Sequence, residues 1–230
     1  MRRLLAVSVA VLLLSGCTTA EPQNTPKPSS PSPATSAPSP EVDAAVSVIV
    51  ISGRGLTTQN ADGDTLDSVA FGDGEASLAE FITEATKLEP VIYEDSQICI
   101  VPYTQYSWGV AGGNGAITLH VPAEPNPPVL DTFVWSGESS VNGIQIRSSA
   151  GFAVGDDISA IPETLPAPQT VGLHANISDG GSPDPTSFVY DPVGEIEVDG
   201  VVRSYGGAVL AEAGIARTLF SPRTTKSVSC

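Results

Sequence analysis

Chemistry-bearing side chains are scarce in this sequence. Its 230 residues include two histidines, three cysteines and one methionine. His120 and His174 each stand alone, with no second His or Cys at ligand spacing, so the pattern of a zinc site is missing. None of Lys27, Lys87 and Lys226 has a Ser three residues before it, which excludes the S-x-x-K arrangement. No G-x-S-x-G, Walker or Rossmann glycine pattern occurs, and Ser136, Ser139 and Ser140 in "WSGESS" have no evident base to activate them. The stretch "NADGDT" (60–65) has the composition of a calcium loop. With Gly63 at the glycine position, however, the closing Glu falls on Val69, so Asp62-Gly63 reads as a tight hairpin turn. No catalytic residue, cofactor or metal ligand is therefore assigned, and the protein is expected not to be an enzyme. Positive charge is scarce too: 10 Lys and Arg stand against 26 Asp and Glu, net −16. Such a chain should repel nucleic acid and anionic lipid alike. Beyond residue 42 no apolar run approaches the 18 residues that a membrane-spanning helix needs.

What is present begins at the N-terminus. Arg2 and Arg3 precede an apolar run, Leu4–Leu14, broken only by Ser8. Eleven helical residues cover roughly 16 Å, about half a bilayer core, so this is the apolar region of a signal peptide and not a span. Leu14-Ser15-Gly16-Cys17 follows at once. An apolar residue, two small ones and a Cys resemble the lipobox of bacterial lipoproteins. The resemblance implies that residues 1–16 are cleaved, that Cys17 is diacylglyceryl-modified, and that the protein is anchored to the extracytoplasmic face of the cell membrane. Two acyl chains hold firmly where one is marginal. An ordinary signal peptide with an incidental Cys is the alternative. Loss of Arg2 and Arg3 with that segment moves the net charge from −16 to −18.

Residues 17–42 then form the lipidated Cys and a Pro/Ser-rich tether. Between 18 and 42 the only large apolar residue is Val42, so ordering entropy is not offset by burial and the segment is expected to be disordered. Its prolines favour polyproline II, with a reach of roughly 80 Å when extended. If Cys17 carries lipid, Cys99 and Cys230 remain as an even pair in an oxidising compartment. A Cys99–Cys230 disulfide would close a loop of about 130 residues, worth about 5 kcal/mol by loop-closure entropy and more often 2–4 in practice. Lipobox, tether and a single disulfide together resemble lipoproteins of actinobacterial type.

Residues 43–230 read as one extracytoplasmic α+β domain, mostly antiparallel β. "VSVIVI" (46–51) is a buried strand, and 55–71 is a hairpin. Leu78, Phe81, Ile82, Ala85 and Leu88 mark one clear amphipathic helix, with Ser77 and Glu80 as its capping box and Pro90 as its stop. Strands follow at "ICIVPY", "AITLHV", "DTFVW", "GIQIRS" and "GFAVG", then a kinked or 3₁₀ element over "DDISAIPETL". "SFVYD", "IEVDGVVRS" and "GAVLAEAGIARTLF" close the chain. The two halves suggest a degenerate ββαββ duplication. "GFAVGDDISAI" (151–161) resembles the opening of small lipoprotein modules that recruit or inhibit other proteins, such as outer-membrane assembly lipoproteins and β-lactamase inhibitory proteins. The resemblance implies a binding module whose partner is an envelope protein or ligand that the sequence does not identify. A hydrolase using acidic residues and a small-solute receptor are the rival readings. If 101–108 is a strand, alternation puts Tyr106 and Trp108 on one face, beside a loop containing Gly109, Gly112, Gly113 and Gly115. These two aromatics are the candidate binding face; a core role for Trp108 is the alternative.

Overall fold

The computed structural model describes residues 45–98, 101–109, 115–123, 132–170, 186–198 and 201–223. Cys17, the tether, Cys99, Cys230, His174, Gly112 and Gly113 lie outside them. In chain order the strands are β1 (Val48–Ile51), β2 (Gly55–Gln59) and β3 (Thr65–Ala70), then helix α1 (Glu75–Thr86). Next come β4 (Val91–Ile98), β5 (Val101–Trp108), β6 (Ile117–Pro122), β7 (Phe133–Ser136), β8 (Ser140–Val141) and β9 (Ile144–Ser148). A single helical turn α2 (Ala167–Thr170) precedes β10 (Thr186–Val198), β11 (Val201–Glu212) and β12 (Ile215–Arg223). The strands form two sheets, of order β3-β2-β1-β9-β8 and β10-β11-β12-β7-β6-β5-β4.

This arrangement corrects the expected fold class. Among the described residues the chain is mainly β, with one helix longer than a turn, and the halves do not repeat a ββαββ unit. The first sheet mixes both halves of the chain, because β1 pairs in parallel with β9. Among its described residues the second half has no counterpart to α1. Over 151–161, Gly151 and Gly155 take left-handed φ values of 92° and 97°, which a helix excludes. Phe152 and Ile158 are buried instead, and Pro162–Thr164 makes a lone 3₁₀ turn. The strand read across "ICIVPY" is likewise two strands. β4 and β5 pair from Ile98↔Val101 back to Val91↔Ser107.

Local chemistry accounts for several elements. In the β2–β3 hairpin the Asn60 side-chain oxygen accepts from the N–H groups of Asp62 (3.0 Å) and Asp64 (2.8 Å), which shapes the turn that Gly63 completes. Helix α1 starts two residues before the expected cap, after Gly74, and the Ser77 hydroxyl donates back to the Asp73 carbonyl at 3.1 Å. It ends at Lys87, whose N–H makes the last helical bond, to the Thr83 carbonyl at 2.8 Å, and whose left-handed conformation then turns the chain out of the helix. Its buried stripe is Leu78, Phe81, Ile82 and Ala85. These side chains join Ile49, Ile51 and Leu56 of one sheet and Trp108, Ile117, Leu119 and Leu219 of the other in a continuous core. Each large side chain buried there contributes roughly 1.5–3 kcal/mol.

A polar clasp joins the sheets where β1 ends. Asp191 Oδ2 accepts from the Gly53 N–H (2.8 Å) and the Ser149 hydroxyl (2.9 Å). The Tyr190 hydroxyl donates to the Ile51 carbonyl at 3.1 Å, and the Ser221 hydroxyl to the Ser52 carbonyl. Burial, then the Asp191 charge, pushes the Tyr190 phenol well above its ordinary pKa, so it stays a donor. The backbones approach so closely that a Cβ on Gly53 would lie 2.3 Å from the Asp191 carbonyl oxygen.

Candidate functional site

Strand β5 places Tyr106 and Trp108 on one face, their rings stacked with centroids 6.4 Å apart. Helix α1 covers that face. Trp108 has no exposed surface, and its Nε1–H donates to Thr83 Oγ1 of α1 at 3.1 Å. The Tyr106 hydroxyl donates to Glu75 Oε1 at the helix start. That bond, with partial burial and the charges of Glu75 and Glu94, pushes the phenol up to about 12. The expected binding face of Tyr106 and Trp108 is therefore corrected: it is helix-covered, and Trp108 is a core residue. The reason is tertiary. Alternation assigned both rings to one side of the strand, and α1 lies on that side.

The open surface lies one strand further out. β4 ends the seven-stranded sheet, and among the described residues its one strand partner is β5. At its start Ile92 is 51% exposed, the most of any large apolar residue described, and Val91 beside it is 45% exposed; Val202 of β11, at 46%, stands inside the sheet and not on its end strand. Ile92 sits opposite Tyr106 in the β4–β5 register, on the same face as the helix-bound aromatic pair, while Val91 sits opposite Ser107 on the other face. An irregularity between Tyr93 and Ser96 then bends the strand. The other sheet ends offer less. β8 has two residues, β10 carries two bulges and Pro192, and β3 exposes one large apolar residue, Leu66. Such devices blunt an edge. Sequence reading missed β4. The signal was Val91-Ile92-Tyr93 directly after Pro90, three strand-favouring residues in a row. Glu94-Asp95 broke the apolar run and hid it.

On the opposite face of the same sheet, His120 of β6 lies in an aromatic box. It stacks on Phe133 (centroids 4.5 Å apart) and Trp135 (6.0 Å), and Tyr103 meets it edge-on at 6.1 Å. His120 is 2% exposed, and burial pushes its pKa from 6.5 down to about 4. Among the described residues neither ring nitrogen has a hydrogen-bond partner, nor does the buried Nε1 of Trp135. The box does not assemble a nucleophile. His120 pairs with Phe133, so strand alternation puts Ser136 on the other side of the sheet, where its hydroxyl donates to the Ala116 carbonyl at 2.7 Å. Among the described residues no three His, Cys, Asp or Glu side chains gather as a metal site, and no helix is long and apolar enough to cross a membrane. Comparison with family models, with curated proteins and with solved structures returns no match.

Proposed function

We propose that this protein is a lipid-anchored lipoprotein of the extracytoplasmic membrane face, whose folded domain is a non-catalytic binding module acting through the β4 edge. The anchor rests on "LSGC" at 14–17 after a charged and apolar leader. The binding role rests on one observation: β4, the end strand of its sheet, has one strand partner among the described residues and presents Val91 and Ile92 to solvent. Edge strands recognise extended partners by main-chain pairing, and side-chain pockets add selectivity.

Two measurements test the two halves of this reading. Cys17→Ala should move the protein out of the membrane fraction, and intact mass should show the diacylglyceryl adduct on wild type. An unmodified Cys17 in membranes overturns the anchor. For the binding role, crosslinking in intact membranes should give adducts that map to β4 and are lost in Ile92→Lys. Identical adducts from both proteins overturn it.

A further inference from the structure

The edge that carries the binding reading also states the chemistry of its partner. Residues 75–95 hold six acidic side chains and one basic one, Lys87. On β4 itself Val91 shares one face with Tyr93, and Glu94 stands at the irregularity that follows Tyr93. Glu94 lies close enough to Tyr106 for its charge to act on that phenol. Glu89 and Glu94 are both exposed. A strand laid along Val91–Glu94 thus meets two apolar side chains and an aromatic one, then a carboxylate, inside a strongly acidic surround.

Resting on the binding-module reading, we propose that the partner of this edge is a basic, extended peptide segment of another protein, with two adjacent β-branched apolar residues, one for each face of the sheet, flanked on both sides by Lys or Arg. Its apolar side chains cover Val91 and Ile92, and its cations face Glu94 and Glu89. A second copy of this chain fits poorly. Pairing β4 with its own twin sets the same acidic stretch against itself, and like charges across a strand pair destabilise it. Anionic lipid is disfavoured for the same reason, with a net charge of −16.

The probe is a capped, dye-labelled hexapeptide of sequence Lys-Thr-Val-Val-Thr-Lys (the lysine–valine peptide; its controls carry glutamate for both lysines or glycine for both valines), titrated by anisotropy onto the purified full chain. Binding is expected, with amide exchange slowed in β4, and the affinity should fall steeply between about 20 mM and about 300 mM salt. A glutamate–valine peptide should not bind. A lysine–glycine peptide should bind at least about tenfold more weakly, a difference of about 1.4 kcal/mol. Ile92→Lys and, independently, Val91→Lys should each weaken the lysine–valine peptide about tenfold or more. Both positions are half exposed, so folding is retained. Absence of binding, equal binding of the lysine–glycine peptide, unchanged affinity in both variants, or no protection in β4 overturns the proposal. So does a dimer that dissociates in Ile92→Lys. Membrane crosslinks that still depend on Ile92 while the peptide fails would remove the basic partner and leave the binding module standing.

Discussion

His120 makes this fold sensitive to mild acid. In the unfolded chain it titrates near 6.5, and in the aromatic box burial holds it near 4. Between those values the unfolded chain binds a proton that the folded chain refuses, so stability rises with pH across the window. The contribution is complete above pH 6.5, falls as the pH drops, and levels off below about 4. A separation of about 2.5 pH units corresponds to roughly 3 kcal/mol in all, of which about 2 kcal/mol is lost by pH 5. Most carboxylates titrate lower, so pH 7.5 to 5 isolates the histidines. The assay is a series of urea midpoints across that range, converted through a constant m-value. His120→Phe keeps a stacking ring opposite Phe133 and removes two buried nitrogens that no described residue bonds. It should abolish most of the slope and leave stability at pH 7.5 equal to wild type or about 1–2 kcal/mol higher. A His120→Phe protein with an undiminished slope would refute the reasoning. Destabilisation at pH 7.5 would show that the imidazole has a partner after all.

Three further outcomes follow from the packing. Trp108→Ala removes a fully buried ring and its bond to Thr83, and should lower stability by about 3–5 kcal/mol in urea denaturation. A change within about 1 kcal/mol would return Trp108 to the candidate surface. Gly53→Ala drives a Cβ to 2.3 Å from the Asp191 carbonyl oxygen. Because backbone faces backbone there, it should cost about 3 kcal/mol or more and sharply reduce soluble yield; a wild-type melting temperature would disprove the close approach. Peptide mapping without reductant should recover Cys99 linked to Cys230, and two free thiols in secreted protein would rule the bridge out.

Some features of this molecule were legible because their causes are local. The α1 stripe from Leu78 to Ala85 repeats every three or four residues, and that period alone forces an apolar helix face. The alternation of 101–108 put Tyr106 with Trp108 and against Tyr103, since side chains of a strand point to opposite faces by geometry. The Asn60–Asp64 turn follows from a side chain binding its own neighbours. What covers each face was not legible. Period two says which residues are companions, and is silent on whether α1, another strand or water lies above them. Trp108 became core and Ile92 became surface although they lie on neighbouring strands of one sheet. His120 read as an ordinary strand residue, and only the pairing of β6 with β7 brought Phe133 and Trp135 around it. The parallel pairing of β1 with β9, which mixes the two halves of the chain in one sheet, joins residues nearly a hundred positions apart. No local propensity encodes a contact of that separation. It is decided when the whole chain finds the one arrangement that buries Ile49, Ile51, Trp108 and Leu219 together.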